Sequence, residues 1–214
     1  MQKRMGDFLF RLMSMEFRIK GLFSDLEENL RRSGLEEGMS VLDFGCGPGR
    51  YTIPAARLVG AKGRVYAVDL HPLALEAVER SAKRHRISNI QTMLSDGALA
   101  LADESLDFVL LYDVLHDVDN RTKVVRELLR VLRPNGILSY RDHSLDAEST
   151  WATVIETGFL RSPENHDGVW TYVRTSAPER SLHREPDAEL RRPTGDARKR
   201  DDPPMGLDDL VTDR

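Results

Sequence analysis

Val41-Leu42-Asp43-Phe44-Gly45-Cys46-Gly47-Pro48-Gly49 decides the reading of everything around it. An apolar run that ends in glycines predicts a buried strand followed by a tight turn. Tyr51 to Val59 then reads as a helix; Pro54 is tolerated in a first turn, where its missing N–H has no partner to lose. In open α/β sheets the crevice beyond the carboxyl end of the first strand is the usual ligand site. Glycines there let the backbone approach a ligand closely, and the helix start offers N–H groups to an anionic group. A dinucleotide fingerprint needs glycines at the first, third and sixth positions of such a turn. Counting from Gly45, the sixth position is Arg50 and a glycine stands at the fifth, Gly49. A large side chain where helix and strand should pack closely argues against a nicotinamide or flavin dinucleotide. Fingerprints tolerate substitutions, so that alternative stays open.

Outward from the turn, strands and helices alternate. Arg64–Asp69 is the next strand, and Pro72 opens a helix through Leu73, Leu75, Ala77 and Val78. Asp69, at the strand's end, suits a ribose diol through two charge-assisted hydrogen bonds, or else caps the following helix. Ile90–Leu94 and Phe108–Tyr112 read as strands three and four. Val124, Leu128, Leu129 and Leu132 mark a helix stopped by Pro134 and turned by Asn135-Gly136, after which Ile137–Tyr140 is strand five. Glu148–Thr157 reads as a helix, followed by strands Phe159–Arg161 and Val169–Arg174. The alternation implies parallel βαβ units with helices on both faces of one sheet. The last two strands lack a crossover helix and should run antiparallel to each other.

Three regions follow. Residues 1–38 form a helical cap, with Phe8, Leu12, Met15, Ile19, Leu22, Leu26 and Leu30 on one stripe broken near Gly21. Residues 39–175 form the α/β domain. Residues 176–214 hold half of the prolines (Pro178, Pro186, Pro193, Pro203, Pro204) among mixed charges, so too little apolar surface is present to order them. The one cysteine, Cys46, excludes an internal disulfide framework, and a net charge of -4 gives no argument for nucleic acid. No apolar run approaches the ~20 residues a bilayer span needs, and no signal-peptide core is present. A reducing, cytoplasmic location is the expectation.

The motifs together resemble class I S-adenosylmethionine-dependent methyltransferases. Val41–Gly49 is similar to their first motif, Val65-Tyr66-Ala67-Val68-Asp69 to the second and Ser95-Asp96-Gly97 to the third. Leu106–Leu111 is similar to their fourth strand. Leu128-Leu129-Arg130-Val131-Leu132-Arg133-Pro134-Asn135-Gly136 resembles the helix-to-strand signature of the ubiquinone/menaquinone-biosynthesis branch. The likeness spans about residues 22–175. It implies an α/β, Rossmann-like seven-stranded sheet of order 3-2-1-4-5-7-6 with strand 7 antiparallel, and S-adenosyl-L-methionine as cofactor. Gly45, Gly47 and Gly49 would line its methionine and ribose portion, Asp43 would face its amino group and Asp69 its ribose hydroxyls. Leu70 would pack near the adenine, and Asp96 would accept from the exocyclic amine beside the Gly97 backbone. Cys46 and Tyr112 complete the expected cofactor contacts, Cys46 as a small residue and not a nucleophile.

The methyl acceptor should sit over Tyr112-Asp113-Val114-Leu115-His116-Asp117, which follows strand four. Asp113 and His116, three apart, would share one face of a helical turn. His116 is the candidate base, since an unperturbed imidazole titrates near neutrality; otherwise Asp113 is a turn cap and His116 a solvated side chain. Tyr140, Asp142 and His143 end strand five on the same edge. Strand four lacks the Asn/Asp-Pro-Pro-Tyr/Phe pattern of amide or nucleobase N-methylation, and one cysteine excludes multi-thiol arsenic chemistry. The six histidines show no pair at metal-ligand spacing, so no metal is expected. Basic residues beside the N-terminal stripe (Lys3, Arg4, Arg11, Arg18, Lys20) admit a weak contact with an anionic membrane surface, against simple packing on the domain. The reading is thus O- or C-methylation of a small-molecule acceptor, with a non-catalytic cofactor-binding module and a nicotinamide oxidoreductase as alternatives.

Overall fold

The computed structural model describes residues 23–144 and 160–175. The stripe from Phe8 to Leu22, the expected helix Glu148–Thr157 and the 176–214 segment lie outside the described residues. Seven strands form one sheet in the order β3-β2-β1-β4-β5-β7-β6. They are β1 (Ser40–Phe44), β2 (Arg64–Asp69), β3 (Ile90–Leu94), β4 (Leu106–Tyr112), β5 (Leu132–Arg141), β6 (Leu160–His166) and β7 (Val169–Arg174). The pairs among β1 to β5 are parallel, whereas β7 runs antiparallel to both β5 and β6. This is the Rossmann-like arrangement expected from the motif order.

The central strands are apolar at successive positions because both of their faces are covered. Val41, Phe108, Leu110 and Tyr112 point to one side, against Leu30 of α1 (Phe23–Arg32) and Ala55, Ala56 and Val59 of α2 (Thr52–Val59). Leu42, Phe44, Val109 and Leu111 point to the other, against Val124, Val125, Leu128 and Leu129 of α4 (Arg121–Val131). The third helix, α3 (Pro72–His85), buries Ala74 and Val78 and packs Val78 with Cys46 and Ala67 beside the glycine turn. Parallel strands therefore deliver all their carboxyl ends, β1 to β5, to one edge of the sheet.

Two local readings are corrected. Strand five begins at Leu132, which pairs with Leu106, and not at Ile137; the ladder resumes at Phe108 with Ile137. The Pro134-Asn135-Gly136 turn is therefore accommodated as an irregularity inside β5, with Asn135 at a φ of 64°. The strict alternation of strand and helix also fails between β3 and β4. Residues 95–105 connect the two strands without a helix.

Two side chains of α4 hold that link. Arg130 on α4 donates to the carbonyls of Leu99 (3.1 Å) and Leu101 (2.9 Å) and pairs with Asp103 and Glu127. Glu127 in turn accepts from the Leu99 N–H at 2.9 Å. Replacing Arg130 with Met keeps the aliphatic stem and removes every one of those donors. The expected cost is about 2 kcal/mol, the usual range for hydrogen bonds to a charged group. Urea unfolding should show a lower midpoint with an unchanged slope.

Candidate functional site

The glycine turn follows β1 and leads into α2. Gly45 and Cys46 both donate to the Val68 carbonyl, at 2.8 and 3.0 Å, so the turn is tied to β2 from its first residue. Gly45 has a φ of 74°, and Val114, from the loop after β4, lies directly on it: a Cβ there would stand 2.3 Å from Val114 Cγ2. Only glycine lets the two loops meet this closely. Gly47 is the opposite case. At a φ of 50° it faces open space, with nothing within 4 Å of where a Cβ would project. Gly49 closes the turn against Val78 of α3, 3.1 Å from its Cβ position. Cys46 is buried, its Sγ near the Gly47 carbonyl. Burial and the neighbouring Asp43 and Asp69 push its thiol pKa well up, the reverse of an activated nucleophile.

Two carboxylates flank the turn. Asp43, at the buried end of β1, accepts from Thr52 Oγ1 at 2.6 Å. Burial pushes its carboxyl up to about 7; the Thr52 hydrogen bond opposes this and the nearby Asp69 adds to it. Asp69, ending β2, accepts from the Gly47 N–H at 2.9 Å through one oxygen and from the His71 N–H at 2.8 Å through the other. Burial raises its pKa as well, against those two backbone bonds. The cap of α3 is His71, whose Nδ1 accepts from the Leu73 N–H. The capping alternative for Asp69 is thereby answered, since Asp69 reaches the glycine turn and His71 does the capping.

Around β3, the Ser95 N–H donates to the Asp69 carbonyl at 3.0 Å, and Ser95 Oγ accepts from the Gly97 N–H at 3.1 Å. Asp96, between them, is exposed, and Leu70 is half-buried. Tyr112 ends β4 among side chains of the protein itself. Its ring is buried edge-on to Tyr51, with centroids 4.7 Å apart, and its hydroxyl meets Ser139 Oγ at 2.7 Å. Burial drives its pKa up to about 12. Arg141, the last residue of β5, lies over both rings and donates to the Tyr51 hydroxyl.

The carboxyl ends of β4 and β5 lead into two crossed histidine–carboxylate pairs. Asp113 does not meet His116 across a helical turn. It takes a φ of 55°, a single left-handed residue, and the chain then enters a short 3-10 turn at Leu115–Asp117. Asp113 accepts instead from His143, at 3.0 Å from its backbone N and 2.7 Å from Nδ1. His116 Nδ1 lies 3.0 Å from both oxygens of Asp142. The His143 pair is exposed; in the other, the His116 side chain is 28% exposed and that of Asp142 0%. Among the described residues, no group of three or more His, Cys, Asp and Glu side chains could hold a metal ion. Nor is any described helix long and apolar enough to cross a membrane.

Residues 35–171 match the family described as a methyltransferase domain, well over half of the chain. The chain belongs to that family. The methyltransferase domain is 31% identical over 109 residues to the demethylmenaquinone methyltransferase of Geobacillus stearothermophilus, covering 50% of this chain and 47% of that protein. It is 28% identical over 134 residues to the protein of the same name from Listeria welshimeri, covering 62% and 57%. The chain thus spans about half the length of the curated relatives it matches. Among solved structures, it resembles a SAM-dependent methyltransferase from Aquifex aeolicus at 25% identity and a TM-score of 0.60, covering 70% of this chain and 88% of that one. A methyltransferase-type structure from Methanococcus maripaludis shares the fold at 16% identity and a TM-score of 0.66, covering 82% and 96%.

The cofactor of this family, S-adenosylmethionine, carries a sulfonium and an ammonium, and the turn's residues suit it. Asp69 raises the pKa of the buried Asp43, so a cation near the two carboxylates is favoured, and the bare face of Gly47 leaves room beside Asp69. A pH dependence follows. A raised carboxyl pKa means that the fold favours protonated Asp43, so its contribution to stability is full at low pH and is lost as pH rises through about 7. A cationic ligand favours the ionised form. Affinity for S-adenosylmethionine should therefore climb by up to about tenfold per pH unit below that value and level off above it. Calorimetric titration at pH 6, 7 and 8 checks the sign.

Thr52 and Val114 touch the turn without having been singled out, and Asp142 was singled out only as an edge residue, not as the partner of His116. A hydroxyl at the start of the helix after the turn was the available signal for Thr52. Val114 and Asp142 act through contacts between loops that adjacent residues do not announce.

Proposed function

We propose that this chain transfers a methyl group from S-adenosylmethionine to a small-molecule acceptor with an acidic O–H or C–H, a phenol or quinol being the leading class. The observation that carries the reading is His116. Its imidazole stands two residues beyond Val114, which lies on Gly45 of the turn, and Asp142 holds its orientation. The names of the relatives, demethylmenaquinone methyltransferases, support a quinone-class acceptor.

In this reading Gly45, Gly47 and Gly49 shape the floor for the methionine and ribose portion, with Cys46 as a small filler. Asp43 holds the amino group, Asp69 the ribose diol, and Leu70, Asp96 and Gly97 the adenine. When bound, the cofactor supplies an electrophilic methyl group. The protein's own work is to align the acceptor in line with it and exclude water. His116 Nε2 takes the acceptor's proton. Asp113, paired with His143, supports the rim of the acceptor site.

The first test is isothermal titration of the full chain with S-adenosylmethionine, its demethylated product and NAD. Saturable binding of the first two and none of NAD is the expected result. Binding of NAD alone would overturn the reading from Gly45 to Asp69.

A further inference from the structure

The loop after β4 and the end of β5 meet at a buried carboxylate that the cofactor reading does not use. The Asp142 side chain is fully buried, yet the residue directly follows β5 at the carboxyl edge of the sheet. A buried carboxylate persists only with donors around it. Asp142 has three: the His116 N–H at 3.2 Å, the Ser144 N–H at 2.9 Å, and His116 Nδ1 at 3.0 Å. The two backbone bonds fix the carboxylate whatever the imidazole does. The third is therefore directional, because an ionised carboxylate can only accept. Nδ1 must carry the hydrogen, and the lone pair is left on Nε2. Among the described residues, Asp117 approaches that nitrogen to 3.4 Å, with a side chain 67% exposed, so solvent screens the contact.

Resting on the function proposed above, we propose that Asp142 is the positioning residue of His116. It holds the imidazole as the Nδ1–H tautomer with Nε2 presented as the base, and stabilises the imidazolium formed when that base is used. The arrangement selects the acceptor class. A tertiary amine or a thioether has no proton to lose and gains nothing from such a pair, whereas a phenol or an acidic ring carbon does. The acceptor's proton passes to Nε2, and the electron pair left behind forms the new bond to the methyl carbon. The pair of the broken C–S bond stays on sulfur, which becomes a neutral thioether. The proton on His116 then returns to water.

Asp142→Asn is the informative variant. Asn keeps one oxygen for a backbone N–H but presents an amide N–H to the imidazole, which reverses the tautomer. In 15N-histidine-labelled full chain, two-bond 15N–1H spectra should show His116 protonated on Nδ1 in the wild type and on Nε2 in Asp142→Asn. With 1,4-dihydroxynaphthalene as acceptor, kcat should fall on the order of tenfold to a hundredfold with KM little changed, and its pH profile should shift. Asp142→Glu, which restores an accepting carboxylate, should recover part of kcat and the Nδ1–H signal. An Nε2–H tautomer in the wild type, or the same tautomer in Asp142→Asn, overturns the proposal. So does a loss of kcat that follows thermal stability and is not relieved by Asp142→Glu. If the wild type shows the Nδ1–H tautomer and binds S-adenosylmethionine but leaves 1,4-dihydroxynaphthalene unmethylated, the quinol reading fails and the Asp142–His116 assignment stands on the spectra.

Discussion

Replacing Asp69 with alanine is expected to weaken S-adenosylmethionine binding by about 1–3 kcal/mol, roughly 5- to 150-fold in the dissociation constant. The carboxylate ends β2 with each oxygen already accepting one backbone N–H, from Gly47 and from His71. Each oxygen keeps a second lone pair, and together they match a vicinal diol. The substitution therefore removes the charge-assisted bonds to the ribose and also frees the Gly47 N–H that holds the turn in shape. Asp69→Asn separates the two effects: it keeps one accepting oxygen but loses the charge and one acceptor. An intermediate loss in calorimetry for Asp69→Asn would assign the difference to the charge. Unchanged affinity in both variants would remove Asp69 from the site.

The parts of this molecule legible in the sequence are those written in short stretches of chain. The run from Val41 to Gly49 needs no distant residue to be read as a strand entering a tight turn, and the spacing to Asp69 places a carboxylate at the neighbouring strand end. The cover on both faces is legible too, because a central strand such as Leu106–Tyr112 is apolar at nearly every position. What the sequence hid arises from long-range meeting. Asp113 and His116 look like partners on one helical face. The left-handed φ of Asp113 and the 3-10 turn after it send the two side chains to different carboxylate or imidazole partners just beyond β5, 26 to 30 residues away. No local pattern encodes that exchange.

The surroundings of Tyr112 and the course of the β3–β4 link were hidden for a related reason. A tyrosine at the carboxyl end of a central strand is a natural ligand contact, but Ser139 on the neighbouring strand offers a buried partner for its hydroxyl. Likewise, alternation suggested a crossover helix in each connection. The carbonyls of Leu99 and Leu101 are instead met by Arg130, a charged side chain from α4, and those of Ala98 and Ala102 by serine hydroxyls, so these need no helix to pair them. In each case a side chain from another element satisfies a group whose partner no local pattern reveals.

His116→Asn should abolish most turnover while leaving the fold and the cofactor site intact. The amide nitrogen of Asn can occupy roughly the place of Nδ1 and donate to Asp142, so the buried carboxylate keeps a third donor. Nothing then stands where Nε2 was. Loss of a positioned base typically costs 10²- to 10⁴-fold, so kcat with 1,4-dihydroxynaphthalene should drop by at least about 100-fold. KM and S-adenosylmethionine affinity should change little, because the glycine turn and both of its carboxylates are untouched. His116→Ala is the harsher comparison: it leaves Asp142 short of a donor in a buried position, and its thermal midpoint should fall further than that of His116→Asn. Retention of kcat within about threefold in His116→Asn would mean that the acceptor loses its proton to water and not to the protein. The histidine would then be a clamp between the β4 and β5 loops, and the base would have to be sought among the other titratable groups of that edge, beginning with the exposed Asp113–His143 pair.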